Sequence, residues 1–573
     1  MHSIGSDYRA VADRYWTSSI VTGRVAIRSR SGTGNTREER AMSSITNAVA
    51  QQFAADGSTE SSSPRIADLV TVAATRRPEA VALVVTADRV AISYRDVIRL
   101  ADDLAGQLTR AGLLPGDRVA LRSGSNAEFV VTLLAASRAD LVVVPLDPAL
   151  PVSDQRARAE ASGARVVLVD GSGPDNGEDP AIRWWPVAVS VGRDDGALSV
   201  RLEAAGEPKP VTSAPEGLRP DDAMIMFTGG TTGLPKMVPW THGNIASSIR
   251  AIVAGYRLGP QDATVAVMPL YHGHGLMAAL LSTLASGGAV LLPARGKFSA
   301  HTFWDDIDAV HATWYTAVPT IHQILLERAK TEPSGTKAAL RFIRSCSAPL
   351  TPETAQALHA EFSAPVVCAF GMTEATHQVA TTGPDEEENP AVSTGLVGKS
   401  TGPEIRIVGS GGVPVGPGEV GEVWLRGPTV VRGYLGDPKI TEANFTDGWL
   451  RTGDLGTLSA DGDLSIRGRI KELINRGGEK ISPERVEHVL ATHPNVLEPA
   501  VFGVPHPLYG EAVAAVIVPR QPAPTPEELT EFCRERLAAF EIPATFELAS
   551  ELPHTAKGSL DRRAVAQRFG PPA

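Results

Sequence analysis

The chain is poor in cysteine. Its three thiols, Cys346, Cys368 and Cys533, stand far apart in 573 residues. They match neither a zinc spacing nor a disulfide framework, which fits a reducing, cytoplasmic setting. Positive charge is also short. Lys and Arg number 54 against 65 Asp and Glu, a net charge of −11. Nucleic-acid affinity rests on Lys and Arg neutralising phosphates, so this balance argues against nucleic acid as the main partner. Long apolar runs are missing too. The longest, Leu276 to Leu292, is broken by Ser282, Thr283, Ser286, Gly287 and Gly288. It reads as a buried helix, a glycine turn and a short strand, and no transmembrane segment is expected. Residues 1–30 carry arginines and serines where a secretory signal has its apolar stretch, so no signal is expected either.

What is present is an ordinary globular composition, 43% hydrophobic and 21% charged, in a chain too long for one core. Residues 1–41 are polar and Arg-rich without a periodic apolar face, and "GSTESSSP" (57–64) reads as a spacer. A disordered extension over 1–64 is expected, with Met42 as another start. From Arg65 the chain alternates β-branched runs ("ALVVT", "LVVVPL", "MIMF", "TVAVMPL", "WYTAVP", "FIRS", "PVVCAF") with helical patterns such as "RDVIRLADDLAGQLTRAGL". Such alternation predicts an α/β fold of parallel sheets covered by helices. The Pro/Glu/Gly-rich stretch 203–222 reads as a connecting loop. After about 400, "GGVPVGPGEVGEVWLRG" and "ADGDLSIRGR" predict short strands and glycine turns, a small β subdomain. Beyond Arg469 a charged segment leads into a compact α+β tail.

The densest chemistry lies in "FTGGTTGLPK" (227–236). The strand "MIMF" runs into Thr228, Gly229, Gly230, Thr231, Thr232 and Gly233. Glycines let successive N–H groups turn inward to form an anion nest. Threonine hydroxyls add donors, and Lys236 adds a point charge suited to phosphate. The spacing is not that of a Walker A loop. A plain Gly/Thr surface turn is the alternative. Three further stretches follow: "FGMTEA" (370–375), "LRTGDLG" (450–456) and "GRIKELINRGGEKISP" (468–483). Near the end stands "PHTAKGSLDRR" (553–563).

In this order and spacing the motifs resemble those of the adenylate-forming superfamily: acyl-CoA synthetases, luciferases and peptide-synthetase adenylation domains. The resemblance spans roughly Arg65 to Phe569. It implies a large N-terminal region of two α/β subdomains plus a small β subdomain (65–468). A mobile small α+β C-terminal domain (469–573) would follow. It also implies ATP, Mg²⁺ and coenzyme A. Thr228 to Gly233 and Lys236 would hold the phosphates, and Gly371, Met372 and Thr373 would meet the α-phosphate. Glu374 and Thr228 would hold Mg²⁺. Asp454 and Arg469 would bind ribose, and a carboxylate suits paired hydroxyls because it only accepts. Lys471 would sit at the hinge, and Arg476, Gly477 and Gly478 would lie near the pantetheine channel. The family signature near the C-terminus resembles "PKTASGKIQRR". Ser559 stands where its catalytic lysine is expected, and a lysine appears two residues earlier, Lys557. Gly229 likewise replaces the usual serine. Either Lys557 substitutes, or adenylation is slow, or the chain binds nucleotide without turnover. A peptide-synthetase module is not favoured, since no carrier domain follows Ala573.

The acid pocket of this family lies between the phosphate loop and the "FGMTE" turn. Here "PLYHGHG", "WYTAVPTIH" and "RFIRSCSAP" bring His272, His274, His322, Arg344, Ser345 and Ser347. These groups suit a short acid with a second polar end better than a fatty-acid tail. The same stretches, with "MTEATH", resemble oxalate–CoA ligases. By that resemblance His272 and Ser347 grip the far carboxylate, with Arg344 and His274 beside them. His274 and His322 could equally be hydrogen-bonded core residues. A small carboxylic acid, ATP and CoA are the expected partners, and a monomer or weak homodimer the expected state. A fatty-acid–CoA ligase is the alternative.

Overall fold

Ser93 opens a helix as its side chain permits. Its hydroxyl accepts from the Asp96 backbone N–H and caps Tyr94–Arg110. Val97, Leu100, Ala101, Leu104 and Leu108 recur at helical spacing, and all five are buried. The Tyr94 hydroxyl bonds the carbonyls of Leu284 and Gly288, each at 2.8 Å, so the helix is also fixed by a polar anchor. The computed structural model describes residues 63–85, 87–171, 183–191, 197–210, 214–228, 235–331, 339–384, 395–477, 479–555 and 560–570.

Among these residues four sheets form. The first has seven strands, in the order Leu198–Leu202, Trp184–Val191, Val166–Asp170, Arg118–Arg122, Val142–Leu146, Asp222–Thr228 and Lys236–Thr241. The five inner strands run parallel and the two outer ones pair antiparallel. Val142–Leu146 is buried at every position, as a strand covered on both faces requires. A second sheet joins Ala263–Val265, Ala289–Leu291, Val81–Val85 and Val90–Ser93.

The third sheet decides where the site falls. It starts as three parallel strands, Trp314–Ala317, Phe342–Ser345 and Val366–Met372. The chain then turns at Thr373–Ala375 and returns antiparallel as His377–Thr381. The remaining strands, Leu396–Ser400, Leu464–Arg469, Trp449–Leu458, Gly421–Arg426 and Glu404–Val408, continue in antiparallel order. The small β subdomain is therefore continuous with the parallel sheet. Gly371 permits the return. A Cβ there would lie 1.7 Å from the His377 carbonyl oxygen.

The fourth sheet lies beyond Arg469. Its path is Glu479–Ile481, Ile474–Arg476, Gly510–Pro519 and Val496–His506, with Thr545–Leu548 parallel to Gly510–Pro519. The helices Pro483–Ala491, Pro526–Arg534 and Arg562–Phe569 complete this α+β unit. Residues 203–221 hold no helix or strand where described. The Leu276 to Leu292 run is helix, glycine turn and strand, but its first helix, His274–Leu281, is of the wider π type. The "TVAVMPL" run yields only the three-residue strand Ala263–Val265. Past it, Val267 N–H bonds the Val265 carbonyl and leaves the ladder.

Candidate active site

The loop 229–234 joins two antiparallel strands, with Thr228 opposite Lys236 in the register. Gly229, Gly230, Thr231, Thr232 and Gly233 lie outside the described residues, but the two feet of the loop are well fixed. Lys236 Nζ donates to Asn444 Oδ1 at 3.1 Å and sits 4.4 Å from the centre of the Tyr434 ring. Burial pulls its pKa down, and the Glu374 carboxylate partly restores it. The Tyr434 hydroxyl donates to Glu374 Oε1 at 2.8 Å. Glu374 is 8% exposed. Its backbone carbonyl accepts from Val431 N–H, so both ends of the residue are tied to one loop. Thr228 Oγ1 is buried without a partner.

Asp454 lies across the ladder from Arg469, and Arg469 Nε donates to Asp454 Oδ1 at 2.8 Å. Its second oxygen, Oδ2, is buried and has no partner. Burial pushes the carboxyl up to about 6, against the pull of Arg469, and the charges of Glu472 and Glu374 add to the rise. An orphaned buried acceptor is costly, on the order of 1–3 kcal/mol, and such groups mark sites that await a donor. Lys471 follows in the short turn Ile470–Glu472 and depresses Lys236 through like charge. Thus Thr228, Lys236, Glu374, Asp454, Arg469 and Lys471 form one electrostatic neighbourhood drawn from positions up to 243 apart in sequence.

Residues Thr373 to His377 join this neighbourhood to a second one. Trp240 Nε1 donates to the Thr373 carbonyl at 2.8 Å and pins the turn. Thr376 and His377 adopt positive φ, 49° and 81°, a conformation uncommon for residues other than glycine. Three residues beyond Glu374, His377 Nε2 accepts from Arg344 Nη2 at 3.2 Å. Arg344 is fully buried. Its remaining donors reach the Tyr256 hydroxyl (2.8 Å), Thr316 Oγ1 (3.0 Å), His274 Nε2 (3.1 Å) and Gln378 Oε1 (3.0 Å). His274 Nδ1 faces Ser347 Oγ at 3.1 Å. Ser347 is exposed and holds φ at 74°.

Arg344 was expected to meet the acid directly, yet every N–H of its guanidinium is engaged inside the protein. Burial and the neighbouring cation hold the His274 pKa well below its usual value. His272 is half-buried and packs edge-on against Tyr271. His322 is a core residue bonded to the Tyr315 hydroxyl, pushed down to about 3 by burial. Thr373, Gly371 and Met372 sit at the turn. Arg476 donates to the Phe540 carbonyl at 2.7 Å and stacks on Tyr509, next to Gly477, on the fourth sheet. Gly478, Lys557 and Ser559 lie outside the described residues. The strand ends around that last segment are fixed: His554 bridges Leu560, and Asp561 N–H bonds the Pro553 carbonyl. Sequence reasoning did not single out Tyr434, Asn444, Trp240, Thr316, Tyr256, Gln378 or His377. Only His377 carried a local signal, its place three residues after Glu374.

Glu374 and Thr228 offer oxygen donors of the kind Mg²⁺ takes. Among the described residues no set of three candidate His, Cys, Asp or Glu ligands gathers.

Comparison with known proteins agrees with this geometry. The family model described as AMP-binding enzyme matches residues 70–435, and the AMP-binding enzyme C-terminal domain matches 485–559. An oxalate–CoA ligase of Arabidopsis thaliana is 44% identical over 80% of this chain and 90% of its own length. A probable CoA ligase, CCL9 of Humulus lupulus, is 40% identical over 83% of this chain and 91% of its own. The crystal structure of ATP-bound MatB from Rhodopseudomonas palustris superposes with a TM-score of 0.76. It shares 29% identity and covers 88% of this chain and 99% of that one. The chain belongs to the AMP-binding enzyme family and is an adenylate-forming ligase of the acyl-CoA synthetase kind.

Proposed function

We propose that this site joins a small acid with a second polar end, oxalate first, to coenzyme A through an acyl-adenylate. A carboxylate oxygen attacks the α-phosphorus of ATP, and pyrophosphate leaves. The CoA thiolate then attacks the acyl carbon and expels AMP. Phosphoryl-type transfer needs position and charge neutralisation more than covalent help. Lys236 supplies a fixed positive charge to the phosphates. Asp454 Oδ2 accepts from ribose, and Arg469 orients that carboxylate. Thr373 and the backbone of Gly371 and Met372 meet the α-phosphate. Mg²⁺, held by Glu374 and Thr228, would offset charge on the leaving pyrophosphate. Residues 469–573 are the domain that carries Lys557 to the reacting centre, with Lys471 as pivot. Arg476, Gly477 and Gly478 then border the thiol's path.

One observation carries the reading of the acid. The turn Thr373–His377 has a buried carboxylate on its nucleotide side and an Arg–His–Ser network on its other side. A hydrocarbon tail would set apolar groups against this polar wall and leave the outward Ser347 hydroxyl without an acceptor, so a fatty acid fits poorly. A second carboxylate would accept from that hydroxyl, and the A. thaliana relative is named for such an acid. The three cysteines are free and buried, and no described helix is long and apolar enough to cross a membrane. Both facts suit a cytoplasmic enzyme, and a monomer or weak homodimer is the proposed state. The test is AMP release by the purified protein with oxalate, malonate, acetate and a fatty-acid series, each with and without CoA. Preference for oxalate, dependent on CoA for completion, is the expected outcome. Turnover of long-chain acids alone would sink the acid assignment. ATP binding without AMP release from any acid would point to a non-catalytic relative with Ser559 as the cause.

A further inference from the structure

We infer that Arg344 is the positioning residue that sets acid specificity, by fixing the tautomers of His274 and His377 beneath the pocket. The inference rests on the reading of the site as one for a small dianionic acid, and it adds a residue that does not itself touch the acid.

A guanidinium has five N–H donors and no acceptor. Two of those donors point at imidazole nitrogens, His274 Nε2 at 3.1 Å and His377 Nε2 at 3.2 Å. Each Nε2 must therefore be the bare, accepting nitrogen, and each ring carries its proton on Nδ1. Thr316 closes the same logic. Its Oγ1 accepts from Arg344 at 3.0 Å, which leaves its hydroxyl proton for His274 Nε2 at 2.6 Å. The His274 Nδ1–H then donates to Ser347 Oγ at 3.1 Å. With one lone pair of Oγ occupied, the Ser347 hydroxyl proton is left to donate outward, from an exposed residue held at positive φ. The two imidazoles lie stacked, centroids 5.2 Å apart and 20° from parallel, so both rings are fixed by the one cation below them.

The charge matters as much as the bonds. Among the described residues, the side chains bonded to the Arg344 guanidinium are those of Tyr256, His274, Thr316, His377 and Gln378, with Cys346 close by and no carboxylate among them. A buried cation is ordinarily paired. Here the pairing anion is left for the substrate, across the thickness of the histidines. An acid with a second negative group completes the ion pair. A monocarboxylate such as acetate does not.

The test compares kcat/KM for oxalate and acetate in the AMP-release assay. Arg344→Gln keeps some donors and removes the charge. It should lower kcat/KM for oxalate about 100-fold, mostly through KM, while acetate changes less than about tenfold. AMP affinity, read by calorimetry, should stay native, because Asp454 and Tyr434 are untouched; this reports that the variant is folded. Equal losses on both acids, with native AMP affinity, overturn the inference. If Arg344→Gln does not fold, Thr316→Val takes its place. It keeps the cation and removes the hydroxyl bound to His274. A smaller shift in the same direction is expected, and unchanged selectivity overturns the inference.

A second readout does not depend on the acid. In ¹⁵N-histidine spectra of the wild type at neutral pH, His274 and His377 should appear as neutral Nδ1–H tautomers. Tyr256, Cys346, His272 and His322 are the other titratable groups around His274 and Arg344. In Arg344→Gln the frozen signals should give way to mixed tautomers. Unchanged tautomers there refute the positioning role. A wild type that turns over no dianionic acid, yet shows the frozen tautomers, would fail the proposed substrate and leave the positioning role standing.

Discussion

Asp454→Asn should make the free protein more stable and a worse binder of ATP. The buried carboxyl sits at about 6, roughly two units above its usual value of 3.8. A raised folded-state value means that the folded protein binds the proton more tightly than the unfolded chain. The associated stability is full below about 4 and is lost as pH rises through about 6. At pH 7 the charge therefore costs about 3 kcal/mol relative to a neutral group. Asn removes that cost and keeps the shape. It gives up the ion pair with Arg469, whose side chain is 58% exposed, so that loss is small. The same change spoils ribose recognition. A carboxylate accepts from two hydroxyls, whereas an amide brings its own donors to one of them. Each charged hydrogen bond contributes about 1.5–3 kcal/mol, so ATP affinity should fall about 10- to 100-fold. Chemical denaturation and calorimetry with AMP or ATP read both arms. The wild type should also bind ATP less well below pH 6, while the variant does not share that fall. A variant that is less stable at pH 7, or that keeps native affinity, refutes the reasoning from the orphaned oxygen.

Other outcomes follow from the same geometry. Lys557→Ala should cut acid-dependent pyrophosphate exchange more than about 100-fold, since electrostatic stabilisers commonly contribute on this scale. An unchanged exchange rate removes Lys557 from the chemistry. Gly371→Ala should lower both melting temperature and AMP affinity, because the new Cβ meets the His377 carbonyl at 1.7 Å; native values of both would contradict the turn. His554 Nε2 donates to Glu498 Oε1 at 2.7 Å, and this contact raises its pKa. The stability it confers is full below about 6.5 and is lost as pH rises through the raised value. Urea midpoints followed from pH 5 to 9 should show that fall, and Glu498→Gln should flatten it.

Local chemistry in the sequence was enough to mark the alternation of strands and helices and the ordered motifs. The Tyr94–Arg110 helix shows why: its apolar residues recur at helical spacing within one short stretch. Thr228 and Lys236 stood out in the sequence because an anion calls for donors of their kind in one compact stretch, and Glu374 and Asp454 were reached through the family resemblance; the fold places Lys236, Glu374 and Asp454 in one electrostatic neighbourhood. What the sequence could not carry is how distant groups meet. Tyr434 reaches Glu374 from 60 residues away, and Asn444 reaches Lys236 from 208. No local pattern encodes either bond, since only the tertiary fold brings these partners within hydrogen-bond length. The role of Arg344 turned on the same point. As a residue type it promised a direct grip on the acid. The fold buries it and engages all five of its donors on Tyr256, Thr316, Gln378 and the two histidines His274 and His377.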